Sequence, residues 1–283
     1  MEKIVVAGAT GHVGAEVVAE LQRRRKWIRV LTRHPERVSF EADDIVGADL
    51  LNPASLRGVC DGIDGVFSAA GASVALNPAW QSPGYRAVDY AGNMNLLQAA
   101  LAAGVKKFTY VSVFNTPALA DLAYVRAHAD VAEALRRADL DHAVIEPTGF
   151  FSSLAILLRL VRLGVAPLIG SGAARTNPIH EKDLAPVCAD AIEHGHGVLP
   201  VGGPEVLSRR AIFERAFEAV GKKPRFVRLP NGYVNVNRWV ASRLDPRLGE
   251  LMAFFKAVSQ TDIIAPAYGS RRLDEYFGEK SGR

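Results

Sequence analysis

The stretch that decides the fold is Lys3-Ile4-Val5-Val6-Ala7-Gly8-Ala9-Thr10-Gly11-His12-Val13-Gly14. It begins with a short, β-branched apolar run of the kind that forms a buried strand. Three glycines follow within seven residues, and beyond them apolar side chains recur at helical spacing as far as residue 25. A turn in this position brings free backbone N–H groups to the N-terminus of a helix, where they can bind phosphate. The stretch therefore predicts a strand, an anion-binding turn and a helix.

The rest of the first half repeats this alternation of strands and helices. Short apolar runs predict strands at 4–7, 28–31, 65–68, 108–111 and 143–145. Helical periodicity between them predicts helices at 13–25, 85–103 and 119–138. Apolar strands that alternate with helices are buried on both faces, which is typical of parallel sheets. The predicted fold class is α/β, with a Rossmann-type, doubly wound parallel sheet over residues 1–147.

After residue 147 the alternation is less regular. The sequence predicts helices at 150–163, 181–194 and 208–220, a glycine-rich turn at 164–172, a strand at 226–229 and a helical tail at 233–259. These elements indicate a smaller, mostly helical substrate lobe over residues 148–283, packed over the carboxyl edge of the sheet. Because no linker separates the two parts, we expect them to share a core.

Composition and charge exclude several classes of protein. Of the 283 residues 49% are hydrophobic and 23% charged, as in folded globular proteins, and the net charge is only +4. The densest basic run, Arg23 to Lys26, lies at a predicted helix end, where the helix dipole favours cations. We therefore expect no nucleic-acid partner. The two cysteines, Cys60 and Cys188, are far apart and predict neither a disulfide nor a metal site.

The sequence also gives no sign of export or of a membrane partner. No basic-then-apolar leader precedes the first strand. The most apolar stretch, residues 150–163, is too short to span a bilayer and is interrupted by Arg159 and Arg162. We expect a cytoplasmic protein, monomeric or homodimeric.

Each glycine of the turn has its own predicted role in binding a dinucleotide. Gly8 permits the tight turn, Gly11 lets the backbone approach a pyrophosphate, and Gly14 lets the helix pack against the strand. Thr10, His12 and Val13 of the same turn are included in the predicted cofactor site. The alternative is a purely structural glycine turn.

The end of the second predicted strand indicates which dinucleotide is bound. A site that prefers NAD usually has an acidic residue there, which binds both ribose hydroxyls. Here the chain has Thr32-Arg33-His34 instead, and a guanidinium can bind a 2′-phosphate through two hydrogen bonds. We therefore expect NADP(H) in preference to NAD(H), with Thr32 and Arg33 at the site. Alternatively, Arg33 is a solvated loop cation.

Several separated motifs occur in order along most of the chain. They are residues 8–14, 31–33, 48–50, 66–71, 106–112, 146–150, 177–180 and 183–185. Together they resemble the NmrA-like, or atypical, branch of the short-chain dehydrogenase/reductase superfamily. The resemblance implies a Rossmann-type fold that binds NAD(P).

The resemblance also implies further cofactor-binding residues. Asp49 and Leu50 would border the adenine, and Ala69, Ala70 and Gly71 the adenosine and pyrophosphate. Val111 and Ser112 would lie under the nicotinamide, with Pro147, Thr148, Gly149 and Phe150 against its carboxamide side. The alternative for Asp49 is to cap the turn before Pro53, and Asp183 is a better candidate for capping helix 181–194 than for catalysis.

The candidate catalytic residues are Ser112, Tyr124 and His128. The superfamily usually pairs a Tyr with a Lys four residues later on the same helix face, and the cation lowers the pKa of the Tyr. Here the fourth residue after Tyr124 is His128, a departure from the family pattern. Neutral His can still hydrogen-bond a ribose, but it does not supply a permanent cation. The alternative is that Tyr124 is a partly buried helix aromatic and His128 a polar neighbour.

These features support three hypotheses. The first is an NADP(H)-dependent oxidoreductase that reduces a small, apolar, conjugated or quinone-like acceptor, without a metal. Its support is the glycine turn together with an apolar lobe that contains Phe150, Phe151, Leu154, Phe254 and Phe255. The second is a non-catalytic NADP(H)-binding redox sensor, which the lost Lys favours. The third is an accessory subunit that binds the cofactor structurally. Trp80, Pro83 and Tyr85 are either an apolar lid over the substrate or ordinary packing.

Overall fold

The structure, a computed structural model, describes residues 1–71 and 84–282. Its strands are β1 (Lys3–Ala7), β2 (Trp27–Thr32), β3 (Asp44–Gly47), β4 (Gly65–Ser68), β5 (Lys107–Val111), β6 (Asp141–Pro147), β7 (Ala166–Ile169), β8 (Arg175–Thr176), β9 (Gly197–Val201), β10 (Leu207–Ser208) and β11 (Phe226–Leu229). In the described residues seven of them form one parallel sheet in the order β3-β2-β1-β4-β5-β6-β9. The chain changes direction across the sheet between β1 and β4, which places a crevice at the carboxyl ends of these strands.

The helices are α1 (His12–Arg23), α2 (Asn93–Ala102), α3 (Ala123–Arg137), α4 (Phe151–Leu154), α5 (Ile156–Arg162), α6 (Glu181–His194), α7 (Arg209–Ala219), α8 (Asn231–Leu244), α9 (Pro246–Gln260) and α10 (Leu273–Ser281). A π-helical segment, Arg86–Gly92, runs directly into α2. Among residues 1–71 and 84–282, no helix is both long enough and apolar enough to cross a membrane.

Helices cover both faces of the sheet. On one face α1 and α6 bury Val17, Leu21 and Cys188 against the strands. On the other face α2 and α3 bury Leu97 and Leu135. The predicted α/β class with a doubly wound parallel sheet is therefore confirmed.

The strands predicted for the first half are confirmed, each within two residues at either end. The sequence analysis missed β3 and β9, the two edge strands of the sheet. Residues along β3 alternate between half-buried and exposed, and β9 contains Pro200. An edge strand pairs on one side only and tolerates proline, so neither strand has the continuous apolar run of a central one.

Chain segments from both sides of residue 147 build this core. Helix α6 and strand β9 follow residue 147 in sequence, yet α6 packs beside α1 and β9 pairs with β6. Ile179, Leu184 and Ile192 belong to the same buried cluster as Ile4 and Val6 of β1. The sheet and the second part of the chain are consequently held together by one hydrophobic core.

The second part also forms a helical lobe, and here the sequence analysis needs three corrections. The predicted turn at 164–172 contains β7, which pairs in parallel with β11. The predicted helix at 150–163 is two short helices, α4 and α5, that meet at Ala155. The predicted tail at 233–259 is two helices, α8 and α9, separated at Asp245. Asp245 is the N-cap of α9, because its carboxylate accepts a hydrogen bond from Arg247 N. Helix α10 was not predicted.

Residues 262–271 return from the lobe to the sheet and are held there by two buried polar side chains. Asn177 Nδ2 donates to Ala265 O at 2.8 Å, and Ala265 N donates to Asn177 Oδ1 at 3.1 Å. Asp183 accepts hydrogen bonds from Ser270 N at 3.0 Å and Arg271 N at 2.8 Å, and it also pairs with the Arg271 guanidinium.

The expectation that Asp183 caps α6 is therefore wrong. The cap is His180, whose Nδ1 accepts a hydrogen bond from Lys182 N at 3.0 Å. Asp183 lies in the first turn and its carboxylate points to a distant segment of the chain. A capping residue and a first-turn acid have similar local sequence patterns, so only the tertiary contact distinguishes them.

Candidate functional site

A cavity of about 690 Å³ lies between the carboxyl edge of the sheet and the lobe. Its sheet side is lined by the turns that follow β1, β4, β5 and β6. Its lobe side is lined by α4, α5 and α9 and by Thr176, Arg209 and Ile263. This is the crevice in which open α/β sheets bind their ligands.

The glycine turn forms one end of the cavity and leaves no room for side chains. Gly8 has φ +81°, and a Cβ there would lie 2.7 Å from the Ala69 carbonyl. A Cβ on Gly14 would collide with the Gly8 carbonyl oxygen. Gly11 is the N-cap residue of α1, and among the described residues no side chain caps this helix. The first-turn N–H groups are thus free to bind an anion, so the turn fits a dinucleotide pyrophosphate.

The loop after β4 lies beside the glycine turn and is fixed by a buried asparagine. Asn93 accepts a hydrogen bond from Ser68 Oγ at 2.6 Å, and its Nδ2 donates to Ala70 O at 3.0 Å. Ala69, Ala70 and Gly71 of this loop line the cavity. A Cβ on Gly71 would lie 2.7 Å from Asp89 Oδ1, so the absence of a side chain keeps this wall open.

The turns after β5 and β6 form the middle of the cavity. Val111 and Ser112 line it, and Ser112 N donates to Ile145 O at 2.8 Å. Pro147, Thr148, Gly149 and Phe150 line it as well. Thr148 is held between strands, since its N donates to Val201 O at 3.0 Å and its Oγ1 to Asn177 O at 2.6 Å. The turns are therefore rigid walls rather than loose loops.

Among the predicted cofactor residues, Gly11, His12, Val13 and Gly14 also line the cavity. The remaining predicted residues lie outside its lining: Gly8, Thr10, Thr32, Arg33, Asp49 and Leu50. Arg33 is exposed directly after β2, the strand beside β1. Asp49 Oδ1 accepts a hydrogen bond from Leu51 N at 3.0 Å, within the turn that Asn52 N closes onto Asp49 O directly before Pro53. Asp49 therefore caps the turn before Pro53, which is the alternative given for it, and Asn52 caps the short helix that follows.

The predicted catalytic residues lie together beneath the middle of the cavity. Ser112, Tyr124 and His128 all line it, and the rings of Tyr124 and His128 meet edge to face at 4.7 Å. His128 is 4% exposed, and its Nδ1 lies 2.6 Å from the Tyr110 hydroxyl. Its Nε2 lies 3.3 Å from Asp89 Oδ1, a carboxylate contact without the geometry of a hydrogen bond.

This arrangement defines how His128 is held. Burial raises the pKa of Tyr110 well above its usual range, so its hydroxyl stays protonated and donates to His128 Nδ1. When the Tyr110 hydroxyl donates to Nδ1, the hydrogen-bearing nitrogen of the ring is Nε2, next to Asp89. Both ring nitrogens face protein groups. In this structure His128 consequently does not offer a nitrogen to a ribose.

Burial also raises the pKa of Tyr124 far above its usual range, and the nearby Asp89 carboxylate raises it further. The ring of Tyr85 lies 5.1 Å from that of Tyr124. Burial raises the pKa of Tyr85 as well, to about 12. A Lys in place of His128 would act in the opposite direction. Tyr124 is therefore a neutral phenol, not an activated one. Trp80 and Pro83, the other residues of the proposed lid, lie outside the described residues.

The sequence analysis missed Asp89 and Arg209, which both line the cavity. Asp89 is fully buried within the π-helical segment. An acidic side chain on the buried face of the predicted helix 85–103 was the available signal, because such residues are rarely buried without a role. Arg209 lies at the start of α7, and nothing in its local sequence connects it to the glycine turn.

The lobe end of the cavity is mainly apolar and aromatic. Phe254, Phe255 and Val258 of α9 line it, opposite Phe150 and Leu154. The ring of Phe254 meets that of Tyr124 at 5.2 Å. The cavity thus runs from backbone N–H groups at the glycine turn, past Ser112 and Tyr124, to an aromatic wall.

Comparison with protein families shows which family the chain belongs to. A family model described as NAD(P)H-binding matches residues 8–195, about two thirds of the sequence. The chain belongs to this NAD(P)H-binding family. The predicted membership of the NmrA-like, atypical short-chain dehydrogenase/reductase group is confirmed, and with it an NAD(P)-binding protein of oxidoreductase type.

Individual relatives cover nearly the whole chain. The chloroplastic divinyl chlorophyllide a 8-vinyl-reductase of Zea mays is 29% identical over 317 residues, which cover 97% of this chain and 78% of that protein. The NADPH-dependent quinone oxidoreductase QOR2 of Escherichia coli, solved with NADPH, is 18% identical with a TM-score of 0.76 and covers 98% of this chain and 99% of its own. A triphenylmethane reductase from a Citrobacter species has the same identity and TM-score and covers 99% and 100%. At this identity the two solved structures show a shared fold.

Proposed function

We propose that the protein is an NADP(H)-dependent reductase of a small, apolar, conjugated or quinone-like acceptor. The observation that carries this proposal is the single cavity that joins the glycine turn to an aromatic wall. A polar, anion-binding end and an apolar end, 690 Å³ in all, suit a dinucleotide and a flat apolar molecule in contact.

The residues of the proposed cofactor site act mostly through their backbone. The first-turn N–H groups of α1 would bind the pyrophosphate, with Ala69, Ala70 and Gly71 alongside it. Val111 and residues 147–150 would hold the nicotinamide end. The exposed Arg33 would bind the 2′-phosphate and so favour NADP(H) over NAD(H). When bound, NADPH supplies a hydride to an electron-poor carbon or oxygen of the acceptor.

The protein side chains would position the acceptor and surround its apolar part. Phe254, Phe255 and Val258 provide an apolar surface for a flat ring system. Ser112 and the neutral Tyr124 present hydroxyl groups at the centre of the cavity. Because the pKa of Tyr124 is raised, an acceptor that takes its proton from water suits this site better than an alcohol or ketone does. His128 positions Tyr124 rather than exchanging a proton with the substrate.

The names of the relatives agree with this substrate class. The maize relative is a vinyl reductase, and the two solved structures are a quinone oxidoreductase and a triphenylmethane dye reductase. The names of all three proteins refer to a conjugated acceptor, which supports the same type of acceptor for this chain. The QOR2 structure holds NADPH, which supports the proposed cofactor preference.

One observation favours a second function, a non-catalytic NADP(H)-binding redox sensor. His128 occupies the position of the usual Lys, and both of its ring nitrogens face Tyr110 and Asp89. A site without the Lys could bind the dinucleotide and signal its presence without catalysing a reaction. The aromatic wall favours the reductase, because a sensor has no need of a cavity for a second molecule.

NADPH oxidation by the purified protein tests the proposal. The absorbance of NADPH at its nicotinamide band would be followed with menadione, a conjugated enone, a triphenylmethane dye and, as a negative control, an aliphatic ketone. We expect turnover with one or more conjugated acceptors and none with the ketone. Tight NADPH binding without turnover on any acceptor would instead support the sensor. Phe254→Ala should raise KM for the acceptor and leave the Kd for NADPH unchanged, which separates the two ends of the cavity.

A further inference from the structure

The lobe end of the cavity contains a partly buried cation, Arg209, which has no ion-pair partner among residues 1–71 and 84–282. Arg209 is the first residue of α7, and its side chain lines the cavity wall. Its Nε and Nη2 are buried, and neither donates a hydrogen bond to any of the described residues. A buried guanidinium without a partner is unusual, because removing its hydration costs several kcal/mol in general. The cost implies a partner that binds from the cavity.

A second unpartnered polar group lies on the same wall. Thr176 is 1% exposed and lines the cavity, and its Oγ1 makes no hydrogen bond within the described part of the chain. Strand β8, which ends at Thr176, pairs with β10, and β10 leads directly into Arg209. Thr176 pairs with Leu207 of β10, and Arg209 follows β10 as the first residue of α7, so both residues reach the cavity from this pair of strands. Arg159 of α5 lines the cavity nearby, with an exposed side chain.

The acidic group that interacts electrostatically with Arg209, Asp262, is already bound to Arg175. Asp262 interacts electrostatically with Arg209 but forms no ion pair with it in the described residues. Instead, Asp262 accepts hydrogen bonds from Arg175 N at 2.7 Å and from Arg175 Nη2 at 2.8 Å. Burial lowers the pKa of Arg209 to about 10, so the guanidinium is still charged at neutral pH. The positive charge in this wall therefore has no ion-pair partner in either described segment of the chain, 1–71 or 84–282.

We propose that Arg209 and Thr176 form a carboxylate subsite, so that the acceptor is an apolar, conjugated molecule that carries an acidic group at one end. The guanidinium donates two hydrogen bonds to the carboxylate, and the Thr176 hydroxyl donates a third. Arg159 is exposed to water, so Arg209 is the cation whose buried nitrogens face the cavity, and one such charge balances one negative charge, which favours a carboxylate over a doubly charged phosphate. The aromatic wall of Phe254 and Phe255 holds the apolar body. The inference rests on the proposed function in that the ligand is the acceptor.

Binding of inert probes tests the subsite without requiring turnover. Isothermal titration calorimetry would compare 2-naphthoate, its neutral methyl ester and 2-naphthyl phosphate, with and without excess NADP+. In the wild-type protein 2-naphthoate should bind about 10- to 100-fold more tightly than the ester, as expected for hydrogen bonds to a buried charge. It should also bind more tightly than the phosphate. Wild-type protein that fails to bind 2-naphthoate, or binds it no better than the ester, would overturn the proposal.

Three variants assign the preference to named residues. Arg209→Gln should abolish the preference for the carboxylate over the ester, and Thr176→Val should reduce it about threefold to tenfold. Arg210→Gln is the matched control, because Arg210 is the next residue of α7 but is exposed and pairs with Glu214. It should leave all three affinities unchanged. An equal loss of preference in Arg210→Gln would show that general surface charge, not the subsite, binds the probe.

Thermal unfolding of the same variants excludes a structural role for Arg209. A charge kept for a ligand destabilises the free protein, so Arg209→Gln should leave Tm unchanged or raise it. A fall of more than about 5 °C would indicate that Arg209 supports the fold, and would contradict the proposal. These readouts do not depend on hydride transfer. A protein that prefers 2-naphthoate but oxidises no NADPH would retain the subsite and refute only the reductase function.

Discussion

At the glycine end, the cavity wall is formed mainly by the backbone of one short stretch of chain. At the lobe end, the wall is formed by side chains from segments that are far apart in the sequence. Residues 8–14 supply the turn and the free N–H groups of α1. The lobe end combines Phe150, Thr176, Arg209 and Phe254, which are brought together only when the lobe folds onto the sheet. In the proposed function the first end would bind groups common to all dinucleotides, and the second would bind one particular acceptor.

This difference implies different tolerances to mutation. A backbone site depends on the absence of side chains, so it fails when a Cβ is added. A side-chain site depends on positions held by long-range contacts, so it is altered by changes far from the ligand. The predictions below test one end against the other.

The largest effect is expected for Gly14→Val at the glycine end. The new Cβ would collide with the Gly8 carbonyl oxygen, so α1 could not keep its position against the turn. NADPH affinity should fall by more than about 100-fold, equivalent to about 3 kcal/mol, in a fluorescence titration. The control is Gly278→Ala in α10, where a Cβ meets nothing within 4 Å. That variant should bind NADPH normally, and a comparable loss in both would refute the steric explanation.

The second prediction concerns the long-range contacts of the lobe end. Asp183→Ala removes the carboxylate that binds Ser270 N, Arg271 N and the Arg271 guanidinium. Because Asp183 is only 8% exposed, the free energy of unfolding in urea should fall by about 2–4 kcal/mol. Asp190→Ala is the matched control, since Asp190 lies on the same helix as Asp183, pairs with Arg24 at the end of α1, and has a 67% exposed side chain.

The control should cost less than about 1 kcal/mol, as exposed ion pairs do. Acceptor binding should weaken in Asp183→Ala, because residues 262–271 include Ile263 of the cavity wall. NADPH binding should change far less. Equal losses at both ends would show that the two ends are not independent.

The difference between a backbone site and a side-chain site also explains how much of each end of the cavity could be predicted from the sequence. The turn with Gly8, Gly11 and Gly14 was predicted from a pattern of seven consecutive residues, but the close approach of Ala69 to Gly8 comes from the loop after β4 and is not visible in that pattern. Arg209 and Thr176 were not predicted, because β8 and β10 are two-residue strands whose pairing depends on the lobe. Asp89 was missed for another reason. Asp89 lies four, seven and eight residues before Asn93, Leu96 and Leu97, on the same buried face, but an acidic side chain adds nothing to an apolar pattern and was therefore passed over.

The pair Tyr124 and His128 is an intermediate case. Their spacing of four residues correctly predicted that they share a helix face, and their rings are in contact. The role of His128 could not be predicted, because it depends on Tyr110 of β5 and Asp89 of the π-helical segment. Residues on one element can be placed from sequence. The contacts that set their protonation come from other elements.

A smaller effect is expected for Arg33→Ala, which tests the cofactor preference. Arg33 is exposed at the end of β2, so its hydrogen bonds to a 2′-phosphate would be partly screened by water. We expect the Kd for NADPH to rise about tenfold and the Kd for NADH to stay the same. Arg238→Ala, an exposed arginine on α8, is the control and should change neither. Equal weakening of NADPH and NADH binding would mean that Arg33 does not read the 2′-phosphate.

The smallest effect is expected for Tyr124→Phe, although Tyr124 lies at the boundary between the two ends. Burial and the Asp89 carboxylate raise its pKa above the usual value, so the phenol stays protonated through neutral and mildly alkaline pH. A group that keeps its proton cannot shuttle one, and kcat/KM for a quinone should fall less than about tenfold. A general acid–base role would instead cost about 100-fold or more. The wild-type pH profile should show no loss of activity from Tyr124 between about pH 6 and 9, because the raised pKa moves its deprotonation to higher pH. A large loss in Tyr124→Phe, with an alkaline limb that disappears in the variant, would mean that Tyr124 donates the proton despite its burial.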